Sequence, residues 1–315
     1  MKIVLLDAKT LANNPLTPIE LLGELTSYPI TDGAQVVTRC IDADIIITNK
    51  VVLNAETLSA LPKLKLICVA ATGTNNIDLV AAKAHGVAVC NVAGYSTPAV
   101  VQHTFTLLGN LMGNMHRYLN DSSNGLWQKS DMFCRLDHSI NEIAHKNFVI
   151  IGYGTLGQAV ATVARAFGAN VIIAERPNET SVRAGRVAFL DAVQSADIIS
   201  IHCPLNEQTK DLFNAHVFKQ LKPSAVLLNT ARGGIVNEQA LVDALKQKVI
   251  AAAGFDVLTV EPAQNTNPLL NYTGDNLLLT PHNAWAAQES INRLIKCIAE
   301  NITAFHRGDN INRIV

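Results

Sequence analysis

The sequence predicts an α/β protein made of two domains, each with a mainly parallel sheet. Three observations carry this. The chain has 315 residues, more than a typical single domain of roughly 100–200. Short apolar runs alternate with longer amphipathic stretches along most of the chain, as repeated strand–helix–strand units require. Hydrophobic residues make up 49% and charged residues 16%, enough for sizeable cores and unlike a disordered chain.

In chain order, residues 3–6, 45–48, 66–70 and 87–90 read as buried strands, with helices over 54–61 and 78–85. A long helix starts at Thr97-Pro98. Thr97 can cap it, and Pro98 takes the first helical position, where a missing N–H costs nothing. Its apolar residues run through Leu107, Leu108, Leu111, Met112 and Met115. Residues 120–145 are polar and weakly patterned, which predicts a loop with Trp127 packed as an anchor. A second series follows, with strands at 148–151, 171–174, 197–201, 225–229, 251–254 and 277–279. Its helices include 156–167 and 238–246. In the latter Asn237 can cap, and Leu241, Val242 and Leu245 form the buried stripe. A last helix covers about 286–306. The predicted layout is discontinuous: residues 1–97 plus 286–315 form one domain and 98–285 the other.

The formal net charge is -1 and no long run carries one sign. Bulk electrostatics therefore offers nothing to a nucleic acid or a membrane surface. The six cysteines form no C-x-x-C pair and no histidine cluster stands at zinc spacing. They read as buried reduced thiols, and no metal site is expected. The start meets a charge at Asp7 after only four apolar residues, 3–6, too short a stretch for a signal peptide. No stretch reaches the ~20 apolar residues that span a bilayer. The expectation is a soluble cytoplasmic protein.

The most specific local signal is G-Y-G-T-L-G at 152–157. The pattern G-x-G-x-x-G is weak alone, but here a strand precedes it and a helix opens through it. Gly152 suits a tight turn, Gly154 a close approach to a pyrophosphate, and Gly157 helix–strand packing. Thr155 and Leu156 open the helix, whose bare N–H donors favour an anion. Glu175 ends the next strand, where an acid can accept hydrogen bonds from a ribose diol. That favours NAD. Arg176 beside it keeps NADP as the alternative.

Ligands of open α/β sheets bind beyond the carboxyl ends of the strands. That rule selects Thr230-Ala231-Arg232-Gly233-Gly234, Asp256, Glu261 and His282. Together they offer an anion binder, a titratable proton donor and a carboxylate to tune it, as carbonyl reduction beside a carboxylate needs. Each also has a plain reading. Arg232 can be a surface arginine, His282 a loop histidine and Glu261 a solvated acid. Spacing alone does not put Glu261 against His282.

The chain resembles the D-isomer-specific 2-hydroxyacid dehydrogenases over essentially its whole length. The motifs that carry this are G-Y-G-T-L-G at 152–157, H-C-P-L at 202–205, N-T-A-R-G-G at 229–234, G-F-D-V at 254–257, V-E-P at 260–262 and T-P-H-N-A-W at 280–285. The resemblance implies doubly wound sheets in two Rossmann-like or flavodoxin-like domains, with a cleft between them. It implies that Arg232, Glu261 and His282 form a catalytic trio. Arg232 would hold the substrate carboxylate, His282 would give or take the proton, and Glu261 would orient the imidazole and favour its charged form. Cys203, Pro204, Thr230, Ala231 and Asp256 match cofactor-lining positions. The loop at 70–76 matches a substrate site, where backbone N–H groups of Thr72, Gly73 and Thr74 can bind a carboxylate.

A-A-T-G-T-N-N-I-D at 70–78, G-Y-S-T at 94–97, Q-H-T-F at 102–105 and Trp285 look most like the glycerate dehydrogenase, or hydroxypyruvate reductase, branch. The 70–76 loop has no Arg or Lys, unlike typical phosphoglycerate dehydrogenases, and no added regulatory domain is expected after Val315. The expected substrate is hydroxypyruvate, with glyoxylate a second. The resemblance leaves two alternatives: a D-lactate-type dehydrogenase, or an NADH-sensing corepressor-like binding protein. Glu261, where formate dehydrogenases carry glutamine, argues against formate oxidation. The resemblance also implies a homodimer through the coenzyme domain, with the helix at 97–115 in the interface.

Overall fold

The computed structural model describes residues 1–179 and 181–315. The chain divides into two compact units. One is Met1–Ser96 with Ala286–Val315, the other Thr97–Trp285.

The first unit holds β1 (Lys2–Leu5), β2 (Glu24–Ser27), β3 (Ile45–Thr48), β4 (Leu66–Val69) and β5 (Ala88–Cys90). They form one parallel sheet in the order β2-β1-β3-β4-β5, the order of flavodoxin-like sheets. β3 and β4 read IIIT and LICV and are buried throughout. A parallel strand covered on both faces needs that continuous apolar run. β2 is not foreseen from the sequence, because ELTS on the sheet edge is largely exposed and has no apolar run. The C-terminal helix, Gln288–Arg307, belongs to this unit and buries Ile291, Leu294, Ile295, Ile298 and Ile302 on one face. It begins after the expected 286 because Ala287 is extended.

The second unit holds β6 (Asn147–Ile151), β7 (Asn170–Ile173), β8 (Ile198–Ile201), β9 (Val226–Asn229), β10 (Ala252–Phe255) and β11 (Leu277–Leu279). The sheet order is β11-β10-β9-β8-β6-β7. Beyond β7 the chain adds one parallel bridge, Ala174 to Val187. Counting that bridge as a degenerate edge strand gives the order 3-2-1-4-5-6 of a dinucleotide-binding sheet, extended by one strand. The chain reverses its direction of travel between β6 and β8, so the carboxyl ends of these two neighbours form the switch point.

Helix Thr97–Met112 packs on this sheet through Leu107, Leu108, Leu111 and Met112. A Cβ on Gly254 of β10 would stand 3.0 Å from Leu228 and 3.2 Å from Leu107, which accounts for a glycine in mid-strand. The helix stops before the expected Met115, and Asn114 turns through a left-handed backbone (φ 47°). A second helix, Met115–Ser123, occupies the start of the expected 120–145 loop. Trp127 corrects an expectation. It lies in a short 3-10 turn and is 56% exposed, with its Nε1 donating to the Phe133 carbonyl at 3.0 Å. The polar stretch around it supplies no core to anchor in. Among the described residues no helix is long and apolar enough to cross a membrane.

Phe148 of β6 is fully buried and its ring stacks on Phe105 at 6.0 Å between centroids. Phe148→Ala should destabilise the second unit by about 3–5 kcal/mol through lost transfer energy and a cavity. A urea melt should show an earlier transition, and an unchanged midpoint would contradict this packing role.

Candidate active site

The glycine turn sits at the switch point, directly after β6. Gly152 has φ 93°, and a Cβ there would meet the Cys203 N at 2.6 Å and the His202 carbonyl carbon at 2.7 Å. Only glycine allows both that backbone and that contact. A Cβ on Gly157 would lie 2.1 Å from the Gly152 oxygen, so this residue sets how closely helix and turn pack. Gly154 has nothing within 4 Å of its Cβ position. Thr155 and Leu156 open helix Thr155–Ala166, and no side chain caps its N-terminus. Open space above Gly154 and uncapped N–H donors are what a pyrophosphate needs. The residues present fit a dinucleotide.

Cys203 and Pro204 follow β8, against this turn. Burial pushes the Cys203 thiol up to about 11 and His202 down to about 4. His202 Nε2 meets Ser200 Oγ at 2.8 Å, and its buried Nδ1 has no partner among the described residues. Both groups are neutral at neutral pH, so neither supplies acid–base chemistry there.

The other expected residues lie beyond the next three strands. After β9, buried Asn229 shapes the turn. Its Oδ1 accepts the Ala231 N–H at 3.0 Å, and its Nδ2 donates to the Arg232 carbonyl at 2.9 Å. The Thr230 hydroxyl lies 3.1 Å from that of Thr104. Arg232 is exposed, with Nη1 donating to the Ala231 carbonyl at 2.7 Å. A Cβ on Gly233 would fall 1.9 Å from the Leu258 oxygen, so the Arg232 turn lies flat against the chain leaving β10. Leu258 in turn gives its N–H to Glu261 Oε1 at 2.9 Å. Glu261 Oε2 stands 2.6 Å from His282 Nδ1. The structure thus joins Glu261 directly to His282 and ties the Arg232 turn to them through backbone.

A carboxylate only accepts, so His282 Nδ1 carries the proton in this pair and Nε2 is left to exchange one. His282 itself has a left-handed backbone, φ 51°, a conformation that a non-glycine residue keeps only when its surroundings hold it. Asp256 does much of that holding. It is 1% exposed. Its Oδ1 accepts from the Thr280 hydroxyl at 2.6 Å and the Asn283 N–H at 3.0 Å, and its Oδ2 from the Ala284 N–H at 2.9 Å. The Trp285 indole N–H donates to the His282 carbonyl at 2.9 Å. Asp256, expected to line the cofactor, and Trp285 both brace the histidine loop.

Sequence reasoning did not single out Asn229, Thr280 or His103. His103 Nε2 lies 2.9 Å from the Thr280 hydroxyl and 3.6 Å from Asp256 Oδ1. All three lie inside quoted motifs, N-T-A-R-G-G, T-P-H-N-A-W and Q-H-T-F, but those motifs say nothing about their partners.

Glu175 stands at the end of β7, as expected, but its carboxylate is already engaged. It is 3% exposed. It accepts from the Arg176 N–H at 2.8 Å, the Arg183 N–H at 3.1 Å, Arg183 Nε at 2.8 Å, and Arg183 Nη2. The Arg183 guanidinium holds its carboxyl well below the usual carboxylate range. The expected role as a ribose acceptor therefore does not follow from its position.

In the first unit, the 70–76 loop follows β4. The Thr72 hydroxyl donates to the Val92 carbonyl at 3.0 Å, and the Thr72 carbonyl accepts from Asn91 Nδ2 at 2.7 Å. No hydrogen bond among the described residues uses the N–H groups of Thr72, Gly73 or Thr74.

The second unit thus combines a dinucleotide cradle with an acid–base pair at strand ends of the same sheet, the arrangement of a nicotinamide-dependent oxidoreductase. A family profile described as D-isomer specific 2-hydroxyacid dehydrogenase, NAD binding domain, matches residues 105–284, and the chain belongs to this family. It is 39% identical to a glycerate dehydrogenase of Methylorubrum extorquens over 308 residues, covering 98% of this chain and 96% of that protein. It is 34% identical to a hydroxypyruvate reductase of Blautia hydrogenotrophica, covering 99% of each. Among solved structures it resembles an acyclic imino acid reductase in complex with NADPH and D-Arg, at 28% identity and TM-score 0.86, covering all of both chains.

Gly157→Ala places a methyl against the Gly152 carbonyl and should push the helix off the turn. The dissociation constant for the nicotinamide dinucleotide, read by fluorescence titration, should rise at least about tenfold. Unaltered affinity would show that the turn is not the cradle.

Proposed function

We propose that the protein reduces hydroxypyruvate, and glyoxylate as a second substrate, to the D-2-hydroxy acid, and oxidises D-glycerate in reverse. The observation that carries this reading is the 2.6 Å pair of Glu261 and His282, in the same unit as the glycine turn. The full-length similarity to a glycerate dehydrogenase and a hydroxypyruvate reductase supports the substrate.

A bound reduced nicotinamide supplies the hydride. The chain does the rest. Arg232 offers a planar fork of charged donors to the substrate carboxylate and the adjacent carbonyl oxygen. His282 Nε2 gives its proton to the oxygen as negative charge develops there, and takes it back in the oxidative direction. Glu261 fixes the tautomer and stabilises the imidazolium. Asp256 and Trp285 hold the histidine loop in place, so the proton donor is oriented before the substrate arrives. We further assign the unspent N–H groups of Thr72, Gly73 and Thr74 to the carboxylate of a small acid. Their loop carries no Arg or Lys, which fits an unphosphorylated substrate.

We also propose a homodimer through the second unit. Segment 115–140 exposes Phe133 (91%), Leu136 (69%) and Ile140 (62%). In the same unit, a largely apolar groove of about 510 Å³ is lined by Pro98, Val101, Phe105 and Val163. A second copy of this chain would cover that surface. A cytoplasmic location accords with six free cysteines, the state that a reducing compartment maintains.

A panel of hydroxypyruvate, glyoxylate and pyruvate should give the highest kcat/KM with hydroxypyruvate. His282→Ala should lower kcat by about 10²–10⁴-fold and still bind the dinucleotide. Failure to reduce any small 2-oxo acid would sink the proposal. Sedimentation at micromolar concentration should give a dimer, and a monomer would refute the interface.

A further inference from the structure

The adenosine end of the cofactor site carries a feature that the family does not explain. β6 and β7 pair with Ile150 opposite Ile173. Continuing that register sets Glu175 across from Gly152, the position from which an acid reads the ribose hydroxyls. A carboxylate has about four lone-pair sites. Those of Glu175 accept four donors from the protein itself, one from Arg176 and three from Arg183. Glu175 itself thus keeps no unspent acceptor for a ribose diol.

The charge at this strand end is also inverted. Arg176, Arg183 and Arg186 stand against Glu175 and Glu179. Arg186 Nη1 lies 3.8 Å from Glu175 Oε1, and Arg176 Nη1 lies 3.9 Å from Glu179 Oε1. The Arg176–Glu179 pair is exposed on both sides, and such a pair holds its partners weakly. Arg183 is 48% exposed in its side chain although Glu175 is buried. A guanidinium has five N–H donors. Arg183 spends Nε–H and one Nη2–H on Glu175, so among the described residues its remaining donors are unspent. The buried acid thus orients an arginine whose free face is a ready anion binder.

We propose that this strand end is a phosphate site. Arg183, held by Glu175, and Arg176 bind the 2′-phosphate of NADPH, which makes NADPH the preferred cofactor. Glu175 is then a positioning residue for Arg183 and not a ribose ligand. The inference rests on the dehydrogenase reading above and adds the phosphate to it.

The test titrates NADPH and NADH separately by fluorescence, without substrate, and then measures kcat/KM for each with hydroxypyruvate. The expected result is tighter binding of NADPH and a kcat/KM at least tenfold above that for NADH. Arg183→Gln should cut the NADPH-to-NADH ratio at least tenfold. Arg176→Gln should lower it in the same direction, and decides the matter if the Arg183 variant does not fold. The preference should weaken with rising salt, as phosphate pairing does. NADH equal to or better than NADPH in the unaltered protein overturns the proposal, as does a ratio unmoved by the arginine variants. If neither dinucleotide binds, the dehydrogenase reading fails instead, so the two failures are distinguishable.

Discussion

At Gly152 the chain passes too close to itself to admit a side chain. There the end of β6 and the start of the segment after β8 leave no room for a Cβ, with Cys203 N only 2.6 Å from where one would sit. This contact holds the two carboxyl ends together where the sheet changes direction. It also fixes the start of helix Thr155–Ala166, because Gly157 packs against the Gly152 carbonyl. Moving outward from that point, β9, β10 and β11 follow in order. Their ends carry Arg232, Asp256 and His282. One tight turn thus orders both the cofactor cradle and the line of reactive loops beside it.

Carboxylates act as struts for those loops. Asp256 accepts the Asn283 and Ala284 N–H groups. Glu261 accepts the Leu258 N–H, and Glu238 the Thr259 N–H at 2.7 Å. The first unit repeats the device at its own switch point, where Asp7, 6% exposed, accepts the Asn49 and Lys50 N–H groups after β3. Hydrogen bonds to an ionised acceptor are stronger than neutral ones, and a buried carboxylate that lost them would carry a large desolvation cost. The same physics separates the roles of these acids. Asp256 spends its charge on holding backbone, while Glu261 divides its between the Leu258 N–H and the His282 imidazole. Glu175 spends its own on an arginine.

Much of this was readable from residue order, and for a local reason. The apolar runs read as strands at 45–48 and 66–70 are covered on both faces, and the Asn237 cap and the Leu241, Val242 and Leu245 stripe belong to a helix packed on one side. The glycine spacing at 152–157 states its own steric demand. Elements without such a pattern were missed. β2 is short, polar and at the sheet edge, where burial imposes no alternation. Trp127 offered a large apolar side chain, but no core lies behind it.

The sequence by itself therefore determined the two parallel sheets, the cradle and the cast of reactive residues. The sheets and the cradle follow from periodicity and sterics within a few neighbouring positions, and the reactive residues from the strand-end rule and the family resemblance. Only the tertiary structure decided what each charged group touches. Glu261 and His282 lie 21 residues apart, and nothing in that spacing makes them meet. Glu175 looked like a free acid at a strand end until Arg183, eight residues on, folded back over it. Hydrogen bonds act over about 3 Å, and loop paths set such distances. The cradle at Gly152 was legible in advance, but the partner at its adenosine end was not.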